Sequence, residues 1–360
     1  MDQVATFLDS LPVIGVLFQL IGYLAATVPV IAPIFVALAA PIALGALCGI
    51  MNERSGIVNI GIEGMMLSSA FTAFLVAALV AQAMGPMQPS PVFGATIPIL
   101  VGVGAAIAMG MLVSVLHAWL SISIRADQII SGTIINILAF GLTGYLNRLI
   151  ISPNPRLGAG IFQPISLPGY LVDLPFIGWV LRGFFAHGPI TISVLFLVVF
   201  LQIWLFRSRW GLRTRSVGEH PKAAETVGID VIKLRYRNVI LGGVFAGLAG
   251  AYLTLEQSGS FQNGMTSGRG FIALAAVIFG RWTPIGAFGA ALLFTASEAL
   301  RVAISLTPPR GELGDVLRAI PPEFYGALPY LVTLIVLVAA VGRSVAPAAV
   351  GKPYVREART

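Results

Sequence analysis

The sequence predicts an all-α integral membrane protein with about ten transmembrane helices, and three observations carry that prediction. Of its 360 residues, 57% are hydrophobic and only 10% charged, whereas a soluble domain carries about a quarter charged residues. Runs such as "VPVIAPIFVALAAPIALGALCGI" (28–50) are apolar on every side and long enough to cross a bilayer core. The alternation of a lipid-facing β-strand is missing, which excludes a barrel and leaves helices, since these close their own backbone hydrogen bonds in lipid.

Reading the apolar runs against their breakers places spans near 11–27, 28–50, 59–80, 94–117, 127–151, 189–206, 238–256, 264–280, 284–302 and 326–343. No polar turn separates the first two. The eighth is broken by "GMTSGRG", so 271–280 is expected to dip into the membrane without crossing it. The 40 glycines fit close approach between helices in lipid, where small residues let backbones touch. A single transmembrane domain over 1–360 accounts for the whole pattern, with cytoplasmic elements at 207–237 and 344–360.

Orientation follows from charge. With ten spans, fifteen of the 22 Lys and Arg residues fall on one side, together with both termini, and the positive-inside rule puts that side in the cytoplasm. The net charge of +7 therefore reports topology; it lies in short connections and the tail, which excludes a nucleic-acid face. Asp2 and Asp9, with no basic residue near them, do not make the n-region of a cleaved signal, so the first span is expected to stay. Cys48 lies inside an apolar run and reads as a small hydrophobe. The outward loops, among them 152–188, 256–268 and 307–323, read either as docking surfaces or as solvated connectors.

Residues 207–237, "RSRWGLRTRSVGEHPKAAETVGIDVIKLRYR", form the longest polar stretch. Pro221 suits a first helical turn, "KAAET" offers helix formers, and Gly228 is a natural stop. A short cytosolic helix between two spans is either a basic connector or a handle on which a soluble machine pushes. At these residues a resemblance enters. Ala223, Ala224, three residues and Gly228 resemble the E-A-A-x-x-x-G coupling segment of ABC importer permeases, with Lys222 where that pattern has Glu. "RSVGEHPKAAETVGI", "NERSGIVNIGIEGMM" and "GMTSGRGFIALAAVIFGRWTPIGAFGAALLF" resemble, in order over roughly 40–340, the permeases of the simple-sugar and nucleoside branch. His220, Thr283 and Asn52 depart from that pattern.

The resemblance implies an ABC permease-type bundle with interrupted helices, located in the bacterial plasma membrane. It implies a second, nonidentical permease subunit, a cytosolic ATPase that holds ATP and Mg, and an extracytoplasmic substrate-binding lipoprotein. It places ATPase coupling on Glu219, Pro221, Lys222, Ala223, Ala224 and Gly228. Arg213 and Arg215 read either as clamps for acidic groups on the ATPase or as anchors at lipid headgroups. The implied cargo is a nucleoside; the alternatives are a ribose-like sugar and, from another class, an ion-coupled secondary transporter.

The chain itself has no Walker A motif, the nearest fragment being "GKPY" at 351–354. No enzyme is expected either. His117, His187 and His220 are scattered without metal-ligand spacing, and no cofactor or metal is expected on this chain. Candidate path residues are Asn59, Glu63, Gln128, Asn136, Phe261, Gln262 and Asn263, with Ser131, Glu256 and Gln257 as further polar groups. The step from 59 to 63 is expected to put Asn59 and Glu63 on one helical face. Carboxylates within spans face a cavity or a partner. Glu63 either lines the path, pairs with Arg54, or caps neighbouring backbone. Glu298 and Arg301 are spaced for a structural ion pair.

Overall fold

The computed structural model describes residues 12–85, 88–90, 92–172, 174, 177–306, 314, 321, 324, 327 and 345–355. These residues are helical throughout, with irregular connections and no strand among them. In chain order the helices are α1 (Pro12–Glu53), α2 (Ile62–Met84), α3 (Ile97–Ala118), α4 (Gln128–Leu146), α5 (Gly169–Val172), α6 (Ile177–Phe185) and α7 (Pro189–Arg207). They continue as α8 (Arg209–Glu219), α9 (Pro221–Thr226), α10 (Val231–Ala251), α11 (Arg269–Phe279) and α12 (Pro284–Leu306). Wider π-helical turns extend α3 through Ile124, α4 through Ile151 and α10 through Ser258.

Seven helices among the described residues are long and apolar enough to cross a membrane: Ile31–Glu53, Ile62–Met84, Ile97–Ile124, Gln128–Ile151, Pro189–Arg207, Val231–Ser258 and Pro284–Val302. Three expectations account for the difference from ten. The runs at 11–27 and 28–50 form one helix, α1, because nothing polar between them ends it. The run at 264–280 yields only α11, whose 11 residues rise about 16 Å at 1.5 Å each, half of a core of about 30 Å. The expected span at 326–343 lies outside the described residues.

Helix starts follow local chemistry. Asp127 accepts from the amides of Ile129 and Ile130 at 2.8 and 3.0 Å, Ser208 from Gly211 at 3.0 Å, and Asp230 from Lys233 at 3.0 Å. Pro189 and Pro221 stand at first helical positions, and Gly228 ends α9 with φ +84°.

The chain divides into two compact units, one of residues 1–38, 166–187 and 292–340, the other of 39–165, 188–291 and 341–360. In the smaller unit Arg301 donates to Glu298 at 3.0 Å, the ion pair their spacing predicts. The larger unit is built on α2, α3 and α10, and its helices meet through glycine. A Cβ on Gly110 would stand 2.3 Å from the carbonyl oxygen of Gly243, and one on Gly247 2.6 Å from the backbone of Ile107, so α3 and α10 touch backbone to backbone. In the same way Gly45 and Gly49 of α1 face Ala273 and Val277 of α11.

Candidate functional site

Between Glu53 and Ile62 the chain leaves the helix and stays inside the protein: Ser55, Ile57 and Asn59 are fully buried. Asn59 therefore precedes α2, and the expected shared helical face with Glu63 does not form. Irregular backbone in apolar surroundings needs a partner for each polar group, and α3 and α4 provide them. Val58 donates its amide to Gln128 Oε1 at 2.7 Å, and Asn136 donates to the Ile60 carbonyl at 2.9 Å while accepting from the Gly64 amide at 2.7 Å.

His117 completes the cradle. Its Nε2 lies 2.9 Å from the Val58 carbonyl and its Nδ1 3.0 Å from Ser131 Oγ. A carbonyl only accepts, so Nε2 carries the hydrogen and Nδ1 accepts from the serine. The fit is close: a Cβ on Gly132 would stand 2.7 Å from the Gly61 nitrogen, and one on Gly64 2.9 Å from Asn136. Asn59 contacts Met65 Sδ at 3.5 Å, leaving Asn59 Oδ1 and Gln128 Nε2 buried without a hydrogen bond.

The two ends of the same stretch grip α11. At its start, Gly268 and Gly270 donate their amides to the two oxygens of Glu63 at 2.8 and 2.6 Å. At its far end, Arg54 donates to the carbonyls of Trp282 at 2.9 Å and Arg281 at 3.2 Å, and the Trp282 indole donates to Glu53 at 2.5 Å. An anion at the first turn and a cation beyond the last both complement the helix dipole. Glu63 thus meets backbone two hundred residues away, and Arg54 is held instead by carbonyls of the turn that follows α11. Burial lowers the Arg54 pKa from its ordinary value, with Glu219 raising it and Arg215 lowering it further. Arg281 and Trp282 take φ +53° although neither is glycine.

A second carboxylate does a similar job. Glu256 accepts from the amides of Ile190 and Thr191 at 2.7 and 3.0 Å and from the Thr191 hydroxyl at 2.5 Å, closing the start of α7. Of the remaining path candidates, Phe261 is buried edge-on against Phe71, with ring centroids 5.2 Å apart. Gln262 and Asn263 are exposed, and Asn263 accepts from Asn147 at 3.0 Å.

On the polar side, α9 is one and a half turns long, as the Pro221 to Gly228 punctuation predicts. Pro221 is half-buried, while Glu219, Lys222, Ala223 and Gly228 are exposed and Val227 is 76% exposed. Ala224 points inward, packed with Val217, Val231, Leu234 and Tyr354. Arg215 also turns inward, over the Phe206 ring at 5.1 Å, whereas Arg213 stays exposed.

Sequence reasoning missed the segment at 345–355, which straps this region together. Ala349 donates to the Gly218 carbonyl at 2.9 Å, Ala348 to Glu219 at 3.1 Å and Gly351 to the Gly56 carbonyl at 3.2 Å, and the Tyr354 hydroxyl bonds to Glu225. Arg235, 1% exposed, donates to the carbonyls of Ser55 at 3.0 Å and Lys352 at 3.3 Å beneath the Tyr354 ring. Gly218 lies on the turn itself, a Cβ there falling 2.2 Å from the Arg54 carbonyl oxygen. Nothing local in the sequence signals these contacts, since the strap has no apolar period. Among the described residues no His, Cys, Asp and Glu gather into a metal-binding group.

Seven helices among the described residues that are long and apolar enough to span, with one half-length helix gripped by an irregular segment, make this a multi-pass membrane protein. The chain belongs to the family described as branched-chain amino acid transport system / permease component, whose model matches residues 31–337. It is 40% identical over 339 residues to the guanosine ABC transporter permease protein NupQ of Bacillus subtilis (strain 168), covering 92% of this chain and 98% of that one. It is 35% identical to the nucleoside ABC transporter permease protein NupC of Lactococcus lactis subsp. cremoris, covering 88% and 93%. A putative glucose ABC transporter permease protein of Haloferax volcanii, TsgC13, is also 35% identical, with 87% and 94% covered. No solved structure matches.

Proposed function

We propose that the chain is the membrane-spanning subunit of an ATP-driven importer of nucleosides, working in a bacterial plasma membrane with 207–237 in the cytoplasm. The observation that carries this reading is its 40% identity, over nearly its whole length, to a permease named for guanosine. The other parts are a cytosolic ATPase, which holds ATP and Mg, and an extracytoplasmic binding lipoprotein that selects the cargo. A second, nonidentical permease completes the pathway. The guanosine permease NupP of Bacillus subtilis, a second relative from the same organism as NupQ, is 27% identical to this chain over 286 residues.

In this reading α9 is the handle, and its outward residues Lys222, Ala223 and Val227 meet the ATPase. Ala224, Gly218 and the strap transmit the displacement to the turn at 54–56, and from there to both ends of α11. Glu63, Gln128 and Asn136 hold moving parts in place, while cargo meets the apolar faces around them. The test is reconstitution with the ATPase and binding protein. ATP-dependent guanosine uptake is expected, and Ala223→Glu should abolish it with the subunit still inserted. Uptake that persists without ATP sinks the reading. Glucose or ribose moved in place of nucleosides would instead favour the sugar reading, which the TsgC13 likeness supports.

A further inference from the structure

The strongest unexplained surface of the larger unit lies where α7 meets α8. Phe196, Phe200 and Trp204 follow one another at four-residue steps along α7, and Phe196 and Phe200 are 64% and 59% exposed on an apolar helix. That face is what a lipid-facing span presents. The ladder continues beyond the helix: Phe200 stacks on Trp204 at 6.1 Å, Trp204 on Trp210 at 5.6 Å, and the Arg237 guanidinium covers Trp210 at 5.8 Å. The Trp210 indole donates to Asn238 at 2.9 Å, which fixes the ring.

Five exposed cations lie on the residues that flank Trp210 and Asn238 in sequence: Arg207, Arg209, Arg213, Lys233 and Arg237. Among the described residues none of the five has a carboxylate partner. The order along the face is apolar side chains, then tryptophan, then arginine. Tryptophan rings collect at headgroup level, so the cations one turn further on stand at the depth of lipid phosphates. Guanidinium groups bind phosphate oxygens in pairs, and a fixed aromatic ring holds one of them in place.

We propose that this junction is a binding site for the headgroup of an anionic membrane phospholipid, with Trp204 and Trp210 against the glycerol and upper acyl region and Arg209, Arg213 and Arg237 on the phosphate. The site needs no particular cargo or energy source, so it stands apart from the transport reading. It also decides between the two roles open to Arg213, in favour of lipid.

The test uses tryptophan fluorescence of the whole subunit in phosphatidylcholine bilayers. Brominated phosphatidylglycerol is expected to quench more strongly than brominated phosphatidylcholine at equal mole fraction, and Trp204→Phe with Trp210→Phe should remove that excess. Each cation near an anionic surface strengthens its attraction about fivefold. Arg209→Gln with Arg237→Gln should therefore abolish the excess, while Arg209→Lys with Arg237→Lys keeps part of it. Equal quenching by the two lipids overturns the proposal, as does an excess that survives the glutamine replacements in monodisperse protein. Arginines shielded from phenylglyoxal by a cytosolic ATPase, but not by phosphatidylglycerol, would make the patch a protein contact and overturn it as well.

Discussion

Glu63 and Glu256 close two helix starts, and the way they differ separates a helix that is anchored from one that is held. Glu256 meets two amides and a hydroxyl at the start of α7, a helix of 19 residues that begins with proline. Glu63 meets two amides, at the start of an 11-residue helix whose preceding Gly268 has φ +80°. A long helix has many internal bonds to draw on, whereas a short one leans on its ends. α11 is thus defined by its grips, Glu63 at one end and Arg54 at the other.

Four replacements sharpen or break that contrast. The largest effect is expected from Glu256→Ala, which orphans three donors and should cost about 4 kcal/mol, read as a lower unfolding midpoint in mild detergent. Glu63→Ala should cost about 3 kcal/mol and abolish ATP-driven uptake; a variant that transports normally would show that α11 does not need its grip. Thr191→Val removes one donor from the richer site and should cost about 1 kcal/mol with uptake retained. If it proves as damaging as Glu63→Ala, the two sites are not different in kind. Smallest in stability is Tyr354→Phe, at roughly 0.5 kcal/mol. It removes the bond to Glu225, and the expected signature is less uptake per ATP hydrolysed at an unchanged hydrolysis rate.

Seven spans were legible because apolar composition sets them residue by residue, and so was α9, whose proline and glycine are local punctuation. Glu63 was legible only as an alternative. A carboxylate beside "NIG" invites a local partner such as Arg54, but the amides it meets belong to Gly268 and Gly270, and no periodicity connects positions that far apart. The four-residue step from Asn59 failed for a related reason. It presumed a helix that starts only at Ile62, because Gln128, His117 and Asn136 stabilise an irregular stretch instead. His117 looked isolated in sequence but holds Val58 and Ser131, and the inward packing of Ala224 against Val217, Val231, Leu234 and Tyr354 was equally unmarked. Arg235 and the strap at 345–355 had no signature, since carbonyls at Ser55, Gly56 and Gly218 are invisible in a string of side chains.

The left-handed turn at Arg281 and Trp282 has a mechanical consequence. Each non-glycine residue in that conformation costs roughly 1 kcal/mol or more, so the turn is a wound spring, kept tight by Arg54 on its carbonyls and Glu53 on its indole. In the proposed reading such a turn needs only a release: slackening at 54–56 would let 281–282 relax toward ordinary backbone, and the work of the ATPase would lie in restoring it.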